Sequence, residues 1–335
     1  MKINYPSLNG LRAISILLVL LHHLSIQNQS LFGKTYDQKG NSLFIDFLQD
    51  GHMGVNIFFV ISGFLITSLL LQEEQNTSTI SLKQFYIKRT LRIFPAYYFL
   101  LIVYFFAQLL GYLKINNEAW FTAITFTKYF NWQEDWFTSH GWSLSIEEHF
   151  YLFWPLIFLA GDTLRKITCV LLIIAVLILR RYVYIVPWIN DLTIFLRIDA
   201  IAIGCLCALY LKEIIKIISP WWNRIFYVSI AVLFYLEYCS TVHYKNFIFR
   251  SFGYTHGTFA NIFIALIMLY SVFGPKGIWF KLLNTRVLNY IGLLSYSLYL
   301  WQQLFTYNSH FIISKFPMNI ILMVLAALFS YYVIE

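Results

Sequence analysis

Of 335 residues, 59% are hydrophobic and only 12% charged, and the mean hydropathy is +0.65. Soluble domains carry about 25% charged residues, so this composition excludes a water-wrapped globule and makes the bilayer the natural solvent. The net charge of +8 does not point to nucleic acid, because the basic residues fall mostly in short gaps between apolar runs, where they set topology and meet anionic headgroups.

A helix needs about 20 apolar residues to cross the hydrocarbon. In chain order, ten stretches approach that length: 10–26, 53–71, 92–113, 142–160, 167–186, 192–211, 225–240, 259–273, 288–306 and 318–334. The seventh and eighth are short. All are continuously apolar rather than alternating, which argues against a β-barrel. The expectation is an all-α polytopic integral membrane protein with about ten transmembrane helices, forming a single domain over 1–335. The first stretch is followed by Ser25-Ile26-Gln27-Asn28-Gln29, not by a small-x-small cleavage site, and reads as a retained helix. An even number of spans puts both termini on one side. Fourteen Lys and Arg then share the side of the N-terminus and nine the other, so the N-terminus is expected in the cytosol. Cys169, Cys205, Cys207 and Cys239 are scattered in apolar runs with no zinc or disulfide spacing, and read as small buried hydrophobes.

Ionisable groups inside such runs are costly and mark function. The first stretch holds Arg12, His22 and His23. Eleven residues on a helix make about three turns plus 20°, so Arg12 and His23 share a face about 16 Å apart. An imidazole there can take a proton from a hydroxyl, and an interfacial guanidinium can grip phosphate. The structural alternative is a topology anchor and a packing histidine. Lys88, Arg89 and Arg92 lead into the third stretch as i, i+3 and i, i+4 neighbours. They form a basic patch suited to a phosphorylated ligand or a plain positive-inside signal.

The fourth stretch opens with Gly141-Trp142-Ser143-Leu144-Ser145-Ile146-Glu147-Glu148. Ser143, Glu147 and Tyr151 fall at i, i+4, i+8 on one face. They can bind hydroxyls, orient a histidine, or zip two helices together. Arg197 and Asp199, two apart in the sixth stretch, point to roughly opposite faces and need separate partners. Ser295-Tyr296-Ser297-Leu298-Tyr299-Leu300-Trp301-Gln302-Gln303 adds polar groups to the ninth, and Glu335 stands at the edge of the tenth. Polar side chains thus turn inward from several helices, as in a membrane enzyme or a transporter.

These motifs together resemble acyltransferase family 3, the bacterial membrane O-acyltransferases. The likeness runs in order through Leu8-Asn9-Gly10-Leu11-Arg12-Ala13 with His23, Gly54-Val55-Asn56-Ile57-Phe58-Phe59-Val60-Ile61-Ser62-Gly63-Phe64-Leu65-Ile66, Arg89-x-x-Arg92, and Trp142-Ser143-Leu144-Ser145-Ile146-Glu147-Glu148. It continues in Arg197-Ile198-Asp199-Ala200, Ser295 to Trp301, and the closing Tyr332-Val333-Ile334-Glu335. The resemblance implies a bacterial cytoplasmic-membrane protein that moves an acyl group from cytosolic acyl-CoA, usually acetyl-CoA, to a hydroxyl of a carbohydrate or lipid-linked glycan, without a metal. It implies His23 as the base, Arg12, Arg89 and Arg92 for the CoA phosphates or the donor's approach, and Glu147 and Glu335 as positions needed for activity. Gln302 departs from the family, many of whose members carry His at that place. Members often continue past the final Glu. A transporter or flippase of a glycan or lipid is the rival reading, and a silent scaffold a second. Acceptor, acyl length and oligomeric state, a dimer included, are left open.

Overall fold

The computed structural model describes residues 5–27, 50–130, 135–183, 195–242, 247–307 and 314–335. Regular structure among them is helical, without a strand, as expected where the backbone must satisfy its own N–H and C=O groups. In chain order the helices are α1 (Leu8–Gln27), α2 (Gly51–Thr77), α3 (Leu82–Leu109), α4 (Asn117–Ile124), α5 (Trp136–Ser139), α6 (Gly141–Leu159), α7 (Asp162–Val183) and α8 (Ile198–Leu209). There follow α9 (Leu211–Ile218), α10 (Trp222–Val242), α11 (Phe247–Phe273), α12 (Ile278–Leu283), α13 (Arg286–Leu293), α14 (Ser295–Phe305) and α15 (Met318–Phe329), which ends in a π-turn at Ser330–Ile334.

Among the described residues, four segments are long and apolar enough to cross a membrane: Leu8–Ser25, Gly51–Thr77, Leu82–Leu109 and Leu211–Cys239. Ile198–Leu209, Gly257–Phe273 and Met318–Ile334 are apolar but shorter. Most of the other expected stretches fall short of that length or apolarity among the described residues, for local reasons. α6 carries Glu147 and Glu148, and α7 has Asp162, Arg165, Lys166, Arg180 and Arg181 towards its ends. The ninth stretch is broken at Leu294 into α13 and α14. Residues 184–186 and 192–194 of the fifth and sixth lie outside the described residues. The seventh is longer than its apolar core, because α10 starts at Trp222 and includes Asn223 and Arg224.

The chain folds as two compact units, Met1–Ile80 with Ile157–Leu293 and Ser81–Leu156 with Leu294–Glu335. In the first, α1, α2 and α8 meet at small residues. Ser15 Oγ donates to the Gly54 carbonyl, and a Cβ at Gly54 would sit 2.6 Å from the Ser15 carbonyl oxygen. A Cβ at Gly63 or Gly204 would run into the carbonyl of Ile201 or Val60. Bare backbones in contact supply packing that lipid cannot match. Arg165 of α7 ties this unit at one end. Its guanidinium grips both oxygens of Glu74, at 2.9 and 2.6 Å, and its Nε donates to the Phe158 carbonyl at 2.7 Å.

In the second unit, Pro95 lies inside α3 and Pro155 inside α6. Proline removes an N–H and pushes back the carbonyls of the preceding turn. A tyrosine hydroxyl reaches a carbonyl near each: Tyr296 to Ile93 and Tyr86 to Leu152, both at 2.8 Å. Tyr97 and Tyr98 cap the end of α4 through the carbonyls of Ala123 and Ile124. Lys128, fully buried, pairs with Asp135 at 2.7 Å. Asp135 also caps α5 through the Thr138 N–H.

Candidate active site

The residues singled out from the sequence divide between the units: Arg12, His23, Arg197 and Asp199 in the first, Arg89, Arg92, Ser143, Glu147, Tyr151 and Glu335 in the second. In the first unit, α1 is unbroken from Leu8 to Gln27, which keeps Arg12 and His23 on one stripe. Both are half-buried. His23 Nδ1 lies 2.8 Å from the Val19 carbonyl oxygen one turn earlier. A carbonyl can only accept, so Nδ1 carries a proton, and in the neutral ring Nε2 is then the basic nitrogen.

His23 belongs to a cluster the sequence did not reveal. The His22 ring meets it edge-on at 5.1 Å and faces His52 of α2 at 6.0 Å. His52 is held because Asp50 caps α2, accepting from the N–H groups of His52 and Met53 at 3.0 and 3.2 Å. Gly51 lets this turn lie against His22, where a Cβ would come 2.7 Å from the ring. One helical turn along α2 from His52, Asn56 accepts from Arg197 Nη1 at 3.3 Å.

Asp199, with no exposed surface, takes other partners than Arg197. It accepts from Arg180 Nη2 at 3.1 Å, Thr258 Oγ1 at 2.6 Å and Asn261 Nδ2 at 3.2 Å. Arg180 also donates to Thr258 and to the Leu196 carbonyl, at 2.7 Å each. This knot joins α7, α8 and α11. Its other members, far apart in sequence, carried no signal there.

In the second unit, the Arg89 guanidinium lies 5.2 Å from the centre of the Tyr151 ring and 5.8 Å from that of Phe85, within cation–π range. The Tyr151 hydroxyl donates to Glu147 at 3.3 Å. Arg89, Tyr151 and Glu147 thus form a chain from α3 to α6, while Arg92 is exposed. Ser143 Oγ stands 2.6 Å from the Tyr299 hydroxyl, which itself donates to the His140 carbonyl at 2.8 Å, so Ser143 is the donor between them. Glu335 accepts from Ser297 of α14 and from Ser330 at the start of the π-turn.

His140, ahead of α6, was missed because nothing in its spacing distinguishes it. Its ring is buried 5.5 Å from that of Tyr299. Burial pushes the imidazole down to about 4; Asp135 opposes the shift and Lys128 reinforces it. The unfolded chain binds the proton near 6.5, so this histidine's stabilisation is complete above that pH and is lost as pH falls towards 4. Thermal unfolding in detergent between pH 7.5 and 4.5 should show a loss of about 3 kcal/mol from this group. His140→Gln should remove that part of the pH dependence.

In the first unit α1 thus carries an imidazole and a guanidinium on one stripe, and in the second unit a cation–tyrosine–carboxylate chain links α3 to α6. Among the described residues no group of three or more His, Cys, Asp or Glu is arranged to hold a metal ion. A family model described as an acyltransferase domain, that of acyltransferase family 3, matches residues 5–334 and so takes in both units. The O-acetyltransferase OatA of Staphylococcus aureus (strain NCTC 8325 / PS 47) is 30% identical over 364 residues, covering 98% of this chain and 56% of that protein. The peptidoglycan O-acetyltransferase OatA of Listeria monocytogenes is 27% identical over 319 residues, covering 88% of this chain and 48% of its own. The chain spans about half the length of these curated relatives. No solved structure matches it significantly. With several apolar helices long enough to span, a family match over nearly its whole length, and the motifs in family order, this multi-pass membrane protein belongs to acyltransferase family 3.

Proposed function

We propose that the chain is a membrane O-acetyltransferase that carries an acetyl group from acetyl-CoA to a hydroxyl of a cell-surface carbohydrate. Peptidoglycan is the first acceptor to test, given what the Listeria relative is named for. The observation that carries this reading is the His23 tautomer. With Nδ1 donating to Val19 at 2.8 Å, the neutral ring has its basic nitrogen at Nε2, the atom that would act as general base.

In the proposed reaction the acceptor oxygen attacks the thioester carbonyl as its proton passes to His23 Nε2. The tetrahedral species then breaks its C–S bond, and the leaving thiolate takes the proton back. Arg12, Arg89 and Arg92 serve the donor's phosphates. Glu147, tied to Tyr151, accepts hydroxyls of the acceptor. Ser143 and Glu335 hold their helices through Tyr299 and Ser297, and Arg197 and Asp199 position the first unit. In this reading residues 1–335 act as one domain of about ten spans, with the N-terminus in the cytosol and the bacterial cytoplasmic membrane as its site. Donor and acceptor then approach from opposite sides.

Mass spectrometry of surface polysaccharides, peptidoglycan first, from cells with and without the intact protein should show a difference of one acetyl group. Purified protein should also move label from acetyl-CoA to a glycan fragment. A changed surface without any such transfer would instead favour a transporter and overturn the proposal.

A further inference from the structure

A cavity of about 260 Å³ lies within the first unit, among α1, α2, α10 and α11, with Trp279 of α12 also lining it. The lining is apolar, and the indole N–H of Trp279 is taken up by Ser271 Oγ at 2.8 Å. Leu11, Ile14 and Leu18 line it from α1, spaced i, i+3, i+7. The α2 side is a matching stripe, and the sleeve extends about 10 to 12 Å at 1.5 Å per residue. That approaches the depth of one leaflet's hydrocarbon, about 15 Å.

The cavity is partly open, and left empty it would forfeit the contacts of its apolar lining, so it calls for an occupant. Water finds no hydrogen-bonding partner there, and a ligand with amides or hydroxyls would bury them unpaired. An alkyl chain loses nothing, and the bilayer supplies one. The headgroup follows from charge. α12 packs against the start of α1, where Gly10 abuts the Leu283 backbone. Lys276 and Lys281 flank Trp279 in sequence and are both exposed. Exposed ammonium groups on the same short segment as an interfacial indole suit a lipid phosphate.

We propose that this cavity is a binding site for one alkyl chain of an anionic phospholipid, its phosphate held at the Lys276–Lys281 end. The site does not depend on the acyl-transfer reading and concerns a different face of α1 from the Arg12–His23 stripe.

The test uses the full chain in vesicles of phosphatidylglycerol and phosphatidylcholine, with a photoreactive group in one lipid chain and adducts mapped by mass spectrometry. Adducts from phosphatidylglycerol should concentrate on Leu18 and Ile264, which line the cavity, over the exposed Leu171 and Ile178 of α7. Lys276→Glu with Lys281→Glu should cut the preference for phosphatidylglycerol about tenfold, and Ile264→Trp should abolish the cavity adducts. If Ile264→Trp does not fold, phosphatidylglycerol with brominated chains added to the otherwise unaltered protein gives the same answer, since one component of the fluorescence it quenches should be missing in Trp279→Phe. Even labelling of cavity and α7, equal labelling by both lipids, or quenching unchanged in Trp279→Phe would overturn the proposal. So would displacement of the cavity adducts by octanoyl-CoA, which would make the chain the donor's own.

Discussion

Replacing His23 by alanine should lower acetyl transfer from labelled acetyl-CoA by about a hundredfold or more in membranes where the variant is still folded, the scale on which a positioned general base acts. The reason lies in the ring's fixed orientation. Its Nδ1 is committed to the Val19 carbonyl at 2.8 Å, so rotation away from that bond would swap which nitrogen faces a substrate. His22→Ala, which removes the edge-on neighbour 5.1 Å away, should cost much less and act through orientation. A titration of rate against pH separates the two: the base's own pKa should vanish from the profile in His23→Ala and merely shift in His22→Ala. Undiminished transfer by folded His23→Ala would remove this imidazole from the mechanism, whatever the fate of the other residues.

Asp199→Ala should destabilise the protein by about 3 to 5 kcal/mol, because it strands the Arg180 charge at a site with no exposed carboxylate surface to replace its partner. Thr258 and Asn261 would each lose an acceptor as well. The loss should appear as a lower unfolding temperature in detergent. Replacing both charges, Arg180→Met with Asp199→Leu, should recover much of it, since an apolar pair can substitute for a buried ion pair. A double variant no more stable than Asp199→Ala would mean that the knot's value lies in the hydrogen bonds to Thr258 and Asn261 rather than in the charge pair.

Arg180 shows where reading along the chain stops. It falls near the end of the fifth apolar stretch, 167–186, and counts there as one more topology-setting cation, yet in three dimensions it is the partner of Asp199. The reverse holds for Ser143, Glu147 and Tyr151. Their spacing on one helix face follows from helical periodicity, and the Tyr151–Glu147 bond follows from that spacing. What periodicity could not supply was the neighbour on another helix: Arg89 over the Tyr151 ring, Tyr299 against Ser143, Ser297 against Glu335.

All-helical structure, membrane character and the shared stripe of Arg12 and His23 were legible in residue order, because each depends on apolar content and on the 3.6-residue turn. The family was legible from the order of its motifs. The extent of the spans was less so, since a break such as Leu294, or a helix running past its apolar core as α10 does, depends on what packs against it. The partners of the buried charges, the histidine cluster around His23, and the apolar cavity beside α1 came from folding alone. Each brings together side chains from different helices, such as Arg180 with Asp199, His22 with His52 or Leu11 with Trp279, and one-dimensional spacing holds no information about which helices will touch.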